Sequence, residues 1–494
     1  MSKSEETDLT LLIHSLSPKV YNSFKRNLNL KSEPKIKLKL LETIRKKKVY
    51  NKSAFIKKHK LASLKFNTLK FDLFQELIEH LKISDRKFSD INVYNELIEL
   101  EVLLKNALYT KAKRKLSKLK KIATEKCDFD ICCLLQKKAV EFRLFNYEKG
   151  KNSFREGVTE LENYIRLSEN LNSYKLLAEE ICELHYQFLD KRIKNRDELL
   201  NYNNNPLLQD VSKAESVLSV YFFYRAKSFI YMGNNDFIEG KRYSFLAYEH
   251  LNNNPSKYRD DFLLKFKALN NYLDSSMNLM ETSPFEKIHP EILKLIDNNK
   301  HNFNAIIKSF STIANDCLVL NYLWIKKDVN RFLEIVPQIK KNYDLHSEMT
   351  GPNFSIEVLL SIARMYFLNG MLKEANYYCV MISDKKTNPA SLIISCGNIL
   401  RIMIQHDLGD HQLISHLVPT SKYFLKSNER LFNLEKSILN GLHKIKPYYS
   451  EPEKRKLFKE LYAEVYDKFN QAEDSILDKK IGILDWLKSK IGNK

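Results

Sequence analysis

The sequence predicts an all-α protein built as an α-solenoid of helical hairpins, with a small basic helical module at its N-terminus. Between Leu359 and Ile382, apolar residues recur at helical spacing on both sides of a turn at Gly370-Met371-Leu372. Small residues at Ala363 and Ala375 allow the two backbones to approach closely, and Tyr366 fills the wedge above them. The 494 residues include only 11 Gly and 12 Pro, below the usual ~7% and ~5%. This tetratricopeptide-like pattern is typical of stacked repeats, in which each hairpin buries its apolar face against its neighbours.

Residues 1–90 are predicted to form the separate basic module. One helix is expected to begin at Ser32-Glu33-Pro34, a shorter one lies around residues 53–60, and a third carries a leucine stripe. The apolar positions of the first and third helices are Ile36, Leu40, Leu41, Ile44, Leu69, Leu73, Leu77 and Leu81. The pattern fits a purely helical module and a winged-helix-like module equally well.

Residues 91–450 are interpreted as the repeat solenoid, with about ten hairpins of ~34 residues each. One pair turns at Leu108-Tyr109, another spans Tyr221–Leu251, and a weaker one joins residues 318–324 to residues 332–339. Clusters that contain proline, such as Ser283–Pro290, are interpreted as boundaries between helical groups. Residues 451–494 are predicted to be C-terminal capping helices, because a solenoid needs a terminal cap.

Seven scattered cysteines favour a reduced compartment over a disulfide framework. The apolar run from Leu9 to Ile13 is too short for a signal peptide. The longest apolar stretch, around Ala390–Ile404, is interrupted by Asn398 and Arg401 and is shorter than the ~20 residues of a membrane span. We therefore expect a cytoplasmic protein with no membrane partner.

The net charge of +20 is concentrated in two windows. Residues 31–70 contain 14 basic and 2 acidic side chains, and residues 101–126 contain 9 basic and 2 acidic ones. Such asymmetry favours an acidic partner, although a lysine-rich solvated face from an AT-biased genome explains it as well. The candidate phosphate-contacting residues are Arg45, Lys46, Lys47, Lys48, Lys57, Lys58, Lys60, Lys111, Lys113, Arg114 and Lys115.

Nearby aromatic residues offer surfaces on which unpaired bases stack. They are Tyr50, Phe55, Phe66 and Phe71. Phe66 and Phe71 follow the amphipathic pattern and are predicted to be core residues. Arginine, which usually carries bidentate base reading, is scarce. Any binding of nucleic acid is therefore expected to be directed at the backbone and sensitive to salt.

No catalytic signature is present. The phosphate-loop, dinucleotide-turn, nucleophile-elbow and His-Glu-x-x-His patterns are all missing from the sequence. We therefore predict no enzyme activity, no catalytic residue and no cofactor. Three weak metal-ligand clusters are interpreted as ordinary packing or turn residues. They are His406 with Asp410, His411 and His416, then Cys182 with His185, and Cys127 with Cys132 and Cys133. Gly409 is expected to break the helix within the first cluster, so its members need not share a face. The second cluster has no further ligand pair at a suitable spacing, and adjacent residues of the third point ~100° apart.

Several blocks resemble a large uncharacterised family of tetratricopeptide-like proteins from Bacteroidota. They are Met403–Asp410 followed by Leu413, Leu417, Ser421–Leu425, Glu429-Arg430-Leu431 and Glu435, the ending Asp485–Ile491, and the opening Leu12–Ser17 with Leu40–Ile44 and Tyr50. The chain departs from that family at Asn388–Leu392, where an Arg-x-Asp-Leu step is usual. The resemblance covers nearly the whole chain and implies the fold but transfers no site.

Together these observations predict a non-enzymatic helical-repeat scaffold or adaptor that binds a protein or peptide partner. The alternative is a nucleic-acid- or ribosome-associated adaptor that uses the basic N-terminal quarter for phosphate contacts.

Overall fold

The prediction of an all-α fold is confirmed. The structure is a computed structural model. It describes residues 8–16, 18–29, 35–46, 52–84, 90–145, 151–191, 196–255, 261–300, 303–384, 391–428, 431, 433–445, 448–470 and 475–492. Within these ranges the chain forms α-helices with short turns and 3₁₀ segments, and no strand occurs there. Helices adjacent in sequence pack on one another, in agreement with an α-solenoid.

The first eight helices belong to the N-terminal third of the chain. They are α1 (Asp8–Ser15), α2 (Pro18–Asn29), α3 (Lys35–Lys46), α4 (Lys52–His59), α5 (Ser63–Ser84), α6 (Asp90–Lys105), α7 (Tyr109–Glu125) and α8 (Phe129–Phe145).

The remaining helices follow from residue 151. They are α9 (Lys151–Lys191), α10 (Arg196–Asn201), α11 (Val217–Gly233), α12 (Phe237–Asn253), α13 (Phe262–Asn278), α14 (Ser283–Asn299), α15 (Ala305–Lys326), α16 (Val329–His346), α17 (Pro352–Leu368), α18 (Leu372–Ser383), α19 (Ser391–Leu408), α20 (His411–Ser427), α21 (Asn433–Lys444), α22 (Glu451–Asn470), α23 (Ser475–Ile481) and α24 (Ile483–Ile491).

Backbone packing divides the chain into two compact units. Unit 1 comprises Met1–Ile122, Leu134–Phe154 and Asn299–Lys308, and unit 2 comprises Ala123–Cys133, Arg155–Asn298 and Ser309–Lys494. The domain boundary at residue 90 therefore stays a prediction.

In unit 1, helices α1 to α5 share one hydrophobic core. The predicted helices α3, α4 and α5 are present, and α1 and α2 complete the core with Leu9, Ile13 and Phe24. Phe66 is fully buried there, as predicted. The prediction for Phe71 was wrong, because its side chain is 62% exposed. On α5 the buried side is the Phe66–Leu69–Leu73–Leu77 stripe, and Phe71 lies off that stripe.

In unit 2 the helices from α11 to α22 follow one another as six pairs of a first and a second helix. The largest core joins the buried faces from α15 to the C-terminus, including the predicted Leu359, Ala363, Ala375 and Cys379. The expectation of hairpins throughout was wrong at residues 151–191, where α9 is one continuous helix of 41 residues. Gly157 is the only glycine in α9, and the helix contains no proline to end it.

The turns between paired helices repeat one backbone geometry. The N–H of the residue after the turn donates to a carbonyl five positions earlier, as from Asp236 to Tyr231 (2.9 Å) and from Asp410 to Gln405 (3.0 Å). The residue before that donor has a positive φ, as at Asn235 (62°) and Gly409 (74°). This is the Schellman helix ending. The same bond occurs at Leu108, Asp128, Glu281, Asp328 and Met371.

All seven cysteines lie in described residues as free thiols, and six of them are buried. None of the described helices combines the length and apolar character that a membrane span requires.

Candidate functional site

The most developed site in unit 2 is the surface on which the C-terminal segment, residues 475–492, lies. This segment contains α23 and α24. Its hydrogen-bond and ion-pair partners include the first helices of four successive pairs, namely α13, α15, α17 and α19, and α24 also packs on α22. We call the surface formed by these four first helices the inner face.

The inner face binds the backbone at the end of α23. The indole Nε1 of Trp324 donates to the carbonyl of Lys479 at 2.9 Å. The guanidinium Nη1 of Arg364 donates to the carbonyl of Lys480 at 3.0 Å. The last carbonyls of a helix have no partner within the helix. Side chains of α15 and α17 therefore complete the C-terminal end of α23.

The two lysines of α23 bind the inner face through their side chains as well. The Lys480 ammonium lies 2.5 Å from Glu357 Oε1, and the Lys479 ammonium donates to the Asn278 carbonyl at 2.8 Å. The Lys479 ammonium also lies 4.2 Å from the ring centroid of Phe237 at the start of α12. A cation over an aromatic face is attracted by the ring quadrupole.

The ionisable groups of this cluster have shifted pKa values. Desolvation lowers the pKa of the Arg364 guanidinium to about 10. Desolvation by itself raises the pKa of the Glu357 carboxyl, but the charges of Lys480 and Arg364 outweigh it and hold that pKa below its ordinary value. Arg364 is 2% exposed and its guanidinium stacks 5.0 Å from the Trp324 ring centroid. The pair of Lys480 and Glu357 is therefore held in a poorly solvated environment, where an unpaired charge is costly.

Gly482, between α23 and α24, fits closely against the inner face. Its φ of +64° is in the left-handed region, which favours glycine. A Cβ at this position would lie 3.1 Å from the Trp324 ring. Two independent constraints therefore favour glycine at the point where the segment bends.

Helix α24 continues the contact toward α19 and α22. Asp407 of α19 accepts from Trp486 Nε1 at 3.1 Å and pairs with the Lys490 ammonium at 2.6 Å. The apolar residues of the segment belong to the same core as α15 to α22. They are Leu477, Ile481, Ile483, Leu484, Trp486 and Leu487, each at most 8% exposed.

These contacts place the end of α23 against four successive helix pairs at once. Lys479 and Lys480 together contact Phe237, Asn278, Trp324, Glu357 and Arg364, which belong to those four pairs. Two adjacent residues of the segment are therefore bound by side chains and carbonyls from all four pairs. The sequence alone did not identify this surface.

Two exposed residues lie beside the region that the segment occupies. Tyr186 of α9 is 48% exposed, and desolvation raises the pKa of its hydroxyl. Asp274 of α13 is also exposed, and desolvation raises the pKa of its carboxyl despite the opposing charge of Lys480. The charge of Asp274 acts on Tyr186 and that of Lys480 acts on Asp274, so the three side chains are neighbours.

The predicted basic residues of the N-terminal quarter have different environments. Arg45 donates to the carbonyls of Ile13 (2.7 Å) and Leu16 (3.1 Å) and so caps the end of α1. Lys115 pairs with Glu96 (2.9 Å) and Glu99 (2.5 Å). These contacts already engage both cations within the protein. The exposed members of the set are Lys46, Lys57, Lys58, Lys60, Lys111, Lys113 and Arg114, whereas Lys47 and Lys48 lie outside the described residues.

Helix α7 carries a stripe of exposed cations. They lie in the basic window of residues 101–126, but the charge count did not show that they share one helix face. Lys111, Arg114, Lys118 and Lys121 are all exposed and are spaced three, four and three residues apart. This spacing places them on one helix face. They form no ion pair with any described residue, and the opposite face buries Ala112, Leu119 and Ala123. Of the aromatic residues proposed for stacking, Phe55 is buried and Tyr50 lies outside the described residues.

The weak metal-ligand clusters are held by structural bonds. His406 Nε2 donates to the Leu442 carbonyl at 3.0 Å, and Asp410 accepts from the Leu413 N–H at 3.0 Å to cap α20. His185 is buried against Phe229, and burial lowers the pKa of its imidazole to about 4. Among the described residues, no group of three or more His, Cys, Asp or Glu side chains is arranged to hold a metal ion.

Comparison of the chain with protein-family models, with curated proteins and with solved structures found no match. The resemblance to a Bacteroidota family and the tetratricopeptide-like class of the repeats therefore stay predictions.

Proposed function

We propose that this protein is a non-enzymatic, tetratricopeptide-like scaffold or adaptor that holds a helical segment of a protein partner on the inner face of unit 2. The observation that supports this proposal most directly is the C-terminal segment itself. A helix of the same chain lies on the inner face and is bound there through both its backbone and its side chains.

The inner face has the chemistry of a peptide-binding surface. Trp324 and Arg364 recognise backbone carbonyls, which every peptide has, whereas Glu357 and Asp407 select cationic side chains. In recognition of this kind, hydrogen bonds to the main chain of the peptide supply affinity, and pairs between side chains supply specificity. Tyr186 and Asp274, which are both exposed, extend this surface beyond the part that the C-terminal segment covers.

The proposal is tested by affinity capture of the tagged full chain from its host lysate, with and without nuclease. A double variant, Tyr186→Ala with Asp274→Lys, alters this exposed part of the surface. The control is Tyr423→Ala, which removes a side chain that is 77% exposed on the second helix α20. We expect a discrete protein that survives nuclease, is lost with the double variant and is retained with the control. A partner retained equally by all three proteins would place binding elsewhere and contradict the proposal.

The cation stripe of α7 supports a second candidate, a nucleic-acid- or ribosome-associated adaptor. Four exposed cations on one helix face offer a linear array to a phosphate backbone. The exposed residues of α4, Lys57 and Lys58, belong to the same unit.

Salt dependence separates this candidate from a solvated lysine face. A fluorescent single-stranded RNA is titrated with the full chain and with a variant in which Lys111, Arg114, Lys118 and Lys121 are glutamine. For single strands each phosphate contact contributes about −0.7 to the slope of log K against log salt. We expect the variant to reduce the magnitude of the slope by about 3. An unchanged slope would assign the stripe to solvation alone.

A further inference from the structure

We propose that the C-terminal segment is a resident, displaceable ligand of the inner face, and that the partner is a basic, apolar helical segment that competes with it. This inference rests on the proposed function and adds to it the chemical class of the partner and a means of regulation.

The partner class follows from what the inner face already holds. The segment presents Lys479 and Lys480 at a helix end, then Gly482, then the amphipathic helix α24 with Trp486 and Lys490. When the segment leaves, Asp407 loses Lys490, and Glu357 loses Lys480 but keeps the charge of Arg364. Asp274 adds a third carboxyl close to Lys480. These three carboxyls outnumber the Arg364 guanidinium, and such an acidic surface favours a cationic occupant.

Exchange is thermodynamically accessible because a competing segment of this class remakes the same contacts. Trp324 and Arg364 bond to main-chain carbonyls, so these two anchors do not depend on the identity of the incoming side chains. The resident segment holds one main advantage, its covalent connection to α22 through residues 471–474. A short connection is equivalent to a local concentration on the order of millimolar. The resident C-terminal segment therefore excludes weak ligands and is displaced by strong ones.

The test uses the full chain and a fluorescent synthetic peptide of residues 471–494 as the probe. Lys480→Glu removes the pair with Glu357 and places two carboxylates together, which weakens the resident segment in the chain but not the probe. We expect the Lys480→Glu chain to bind the probe at least tenfold more tightly than the unmodified chain. The matched control, Lys488→Glu, makes the same charge change at an exposed position of α24 and is expected to match the unmodified chain.

A charge reversal makes the test specific. The double variant Lys480→Glu with Glu357→Lys restores the internal pair, so we expect it to exclude the probe again. A probe that carries Lys480→Glu should not bind the single variant, because it meets Glu357. A folded Lys480→Glu chain that binds no probe would overturn the proposal and make the segment a fixed part of the core.

If Lys480→Glu reduces the helix content, the unmodified chain is studied with a protease site inserted among residues 471–474. After cleavage, we expect the native segment to exchange for the labelled probe within hours. Retention of the native segment for a day against excess probe would overturn the proposal. If exchange fails but a captured partner depends on Tyr186 and Asp274, the C-terminal segment is not displaceable, and the proposed function still holds.

Discussion

Two lysine-rich stretches of this chain have opposite environments. On α7, Lys111, Lys118 and Lys121 lie on an exposed face with no ion-pair partner among the described residues. In the C-terminal segment, Lys479 and Lys480 are bound by side chains and carbonyls of four helix pairs. The difference shows that the number of lysines in a stretch does not predict whether those lysines are solvated or bound within the protein.

The difference has an energetic basis. An exposed cation interacts weakly with its surroundings and is screened by salt. A poorly solvated cation must be paired, and removal of its partner leaves an uncompensated charge. Substitutions are therefore expected to alter stability in the C-terminal segment and to alter only binding on α7. The predictions below run from the largest expected effect to the smallest.

Truncation of Trp486 should give the largest loss of stability. The indole is 6% exposed, packs 5.7 Å from the Phe458 ring centroid and donates to Asp407. We expect Trp486→Ala to lower the free energy of unfolding by about 3–5 kcal/mol, as for other buried aromatic residues. Urea unfolding followed by circular dichroism measures this loss. Tyr466→Ala, at a side chain 44% exposed on α22, is the control and should cost less than about 1 kcal/mol.

Asp316 tests how a buried charge without a cation behaves in the same unit. Burial raises the pKa of its carboxyl to about 7, against an ordinary 3.8, although Asn342 donates to it at 2.9 Å. Because the folded-state pKa is raised, the stabilising contribution is fully present below about pH 4 and is lost as the pH rises through about 7. We expect Asp316→Asn, which stays neutral, to be more stable than the unmodified chain at pH 8 by roughly 2–4 kcal/mol.

The measurement for Asp316 is the difference in urea midpoint between variant and unmodified chain at pH 5 and at pH 8. Taking the difference at each pH cancels the contribution of the buried histidines to stability, because it is the same in both proteins. The pKa values of His185 and His406 are lowered to about 4 by burial, so those groups cost stability as the pH falls below 6.5. An advantage of the variant that is the same at both pH values would contradict a raised pKa of Asp316.

Replacement of Ala107, in the turn before α7, with glycine should stabilise the protein. Ala107 is exposed and has a φ of +56°, which costs an L-residue about 1–2 kcal/mol. Part of that gain is lost to the greater freedom of glycine in the unfolded chain. We expect Ala107→Gly to raise the free energy of unfolding by about 0.5–1 kcal/mol. Ala463→Gly, at an exposed position inside α22, is the control of opposite sign and should cost about 1 kcal/mol.

Neutralisation of the α7 stripe should have the smallest effect on stability. The glutamine variant at Lys111, Arg114, Lys118 and Lys121 is expected to unfold within about 0.5 kcal/mol of the unmodified chain. Thermal unfolding at low and at high salt measures this difference. A large loss would show that the stripe has a structural role and would remove the contrast with the C-terminal segment.

The hairpins were predictable because their signal is local. Apolar periodicity with small residues at Ala363 and Ala375 gave α17 and α18 within a few residues, and Gly409 was expected to interrupt a helix where α19 ends. The interpretation of Ser283–Pro290 as a boundary was correct at Ser283, where α14 begins, and wrong at Pro290, which lies inside α14. Packing of Phe285 and Ile292 into the core outweighs the missing N–H there.

A further sequence signal was available and was missed. An acidic residue after a left-handed residue begins several second helices, as at Asn235-Asp236, Lys327-Asp328 and Gly409-Asp410. The aspartate caps the new helix while its own N–H closes the previous one. Three of the left-handed residues that precede an acidic residue, Cys127, Met280 and Lys327, are neither Gly nor Asn, so a search for turn formers does not find them.

The candidate site was not predictable from local patterns. Residues 475–492 have the amphipathic pattern of a terminal cap, and α24 does pack on α22 as a cap would. The contacts of α23 with Asn278, Trp324, Glu357 and Arg364 join positions far apart in sequence. Helical periodicity identifies the buried side of a segment but not the surface that buries it.

The bonds made by Lys479 and Lys480 have a consequence for how the protein is synthesised. They connect residues between 116 and 201 positions apart, whereas a simple repeat stack depends on neighbouring units alone. Chains fold from the N-terminus as they emerge from the ribosome. The inner face is consequently complete but unfilled until residues 475–492 emerge from the ribosome. During that interval, seconds at ordinary elongation rates of about 5–20 residues per second, a nascent chain exposes the acidic surface that the finished protein covers.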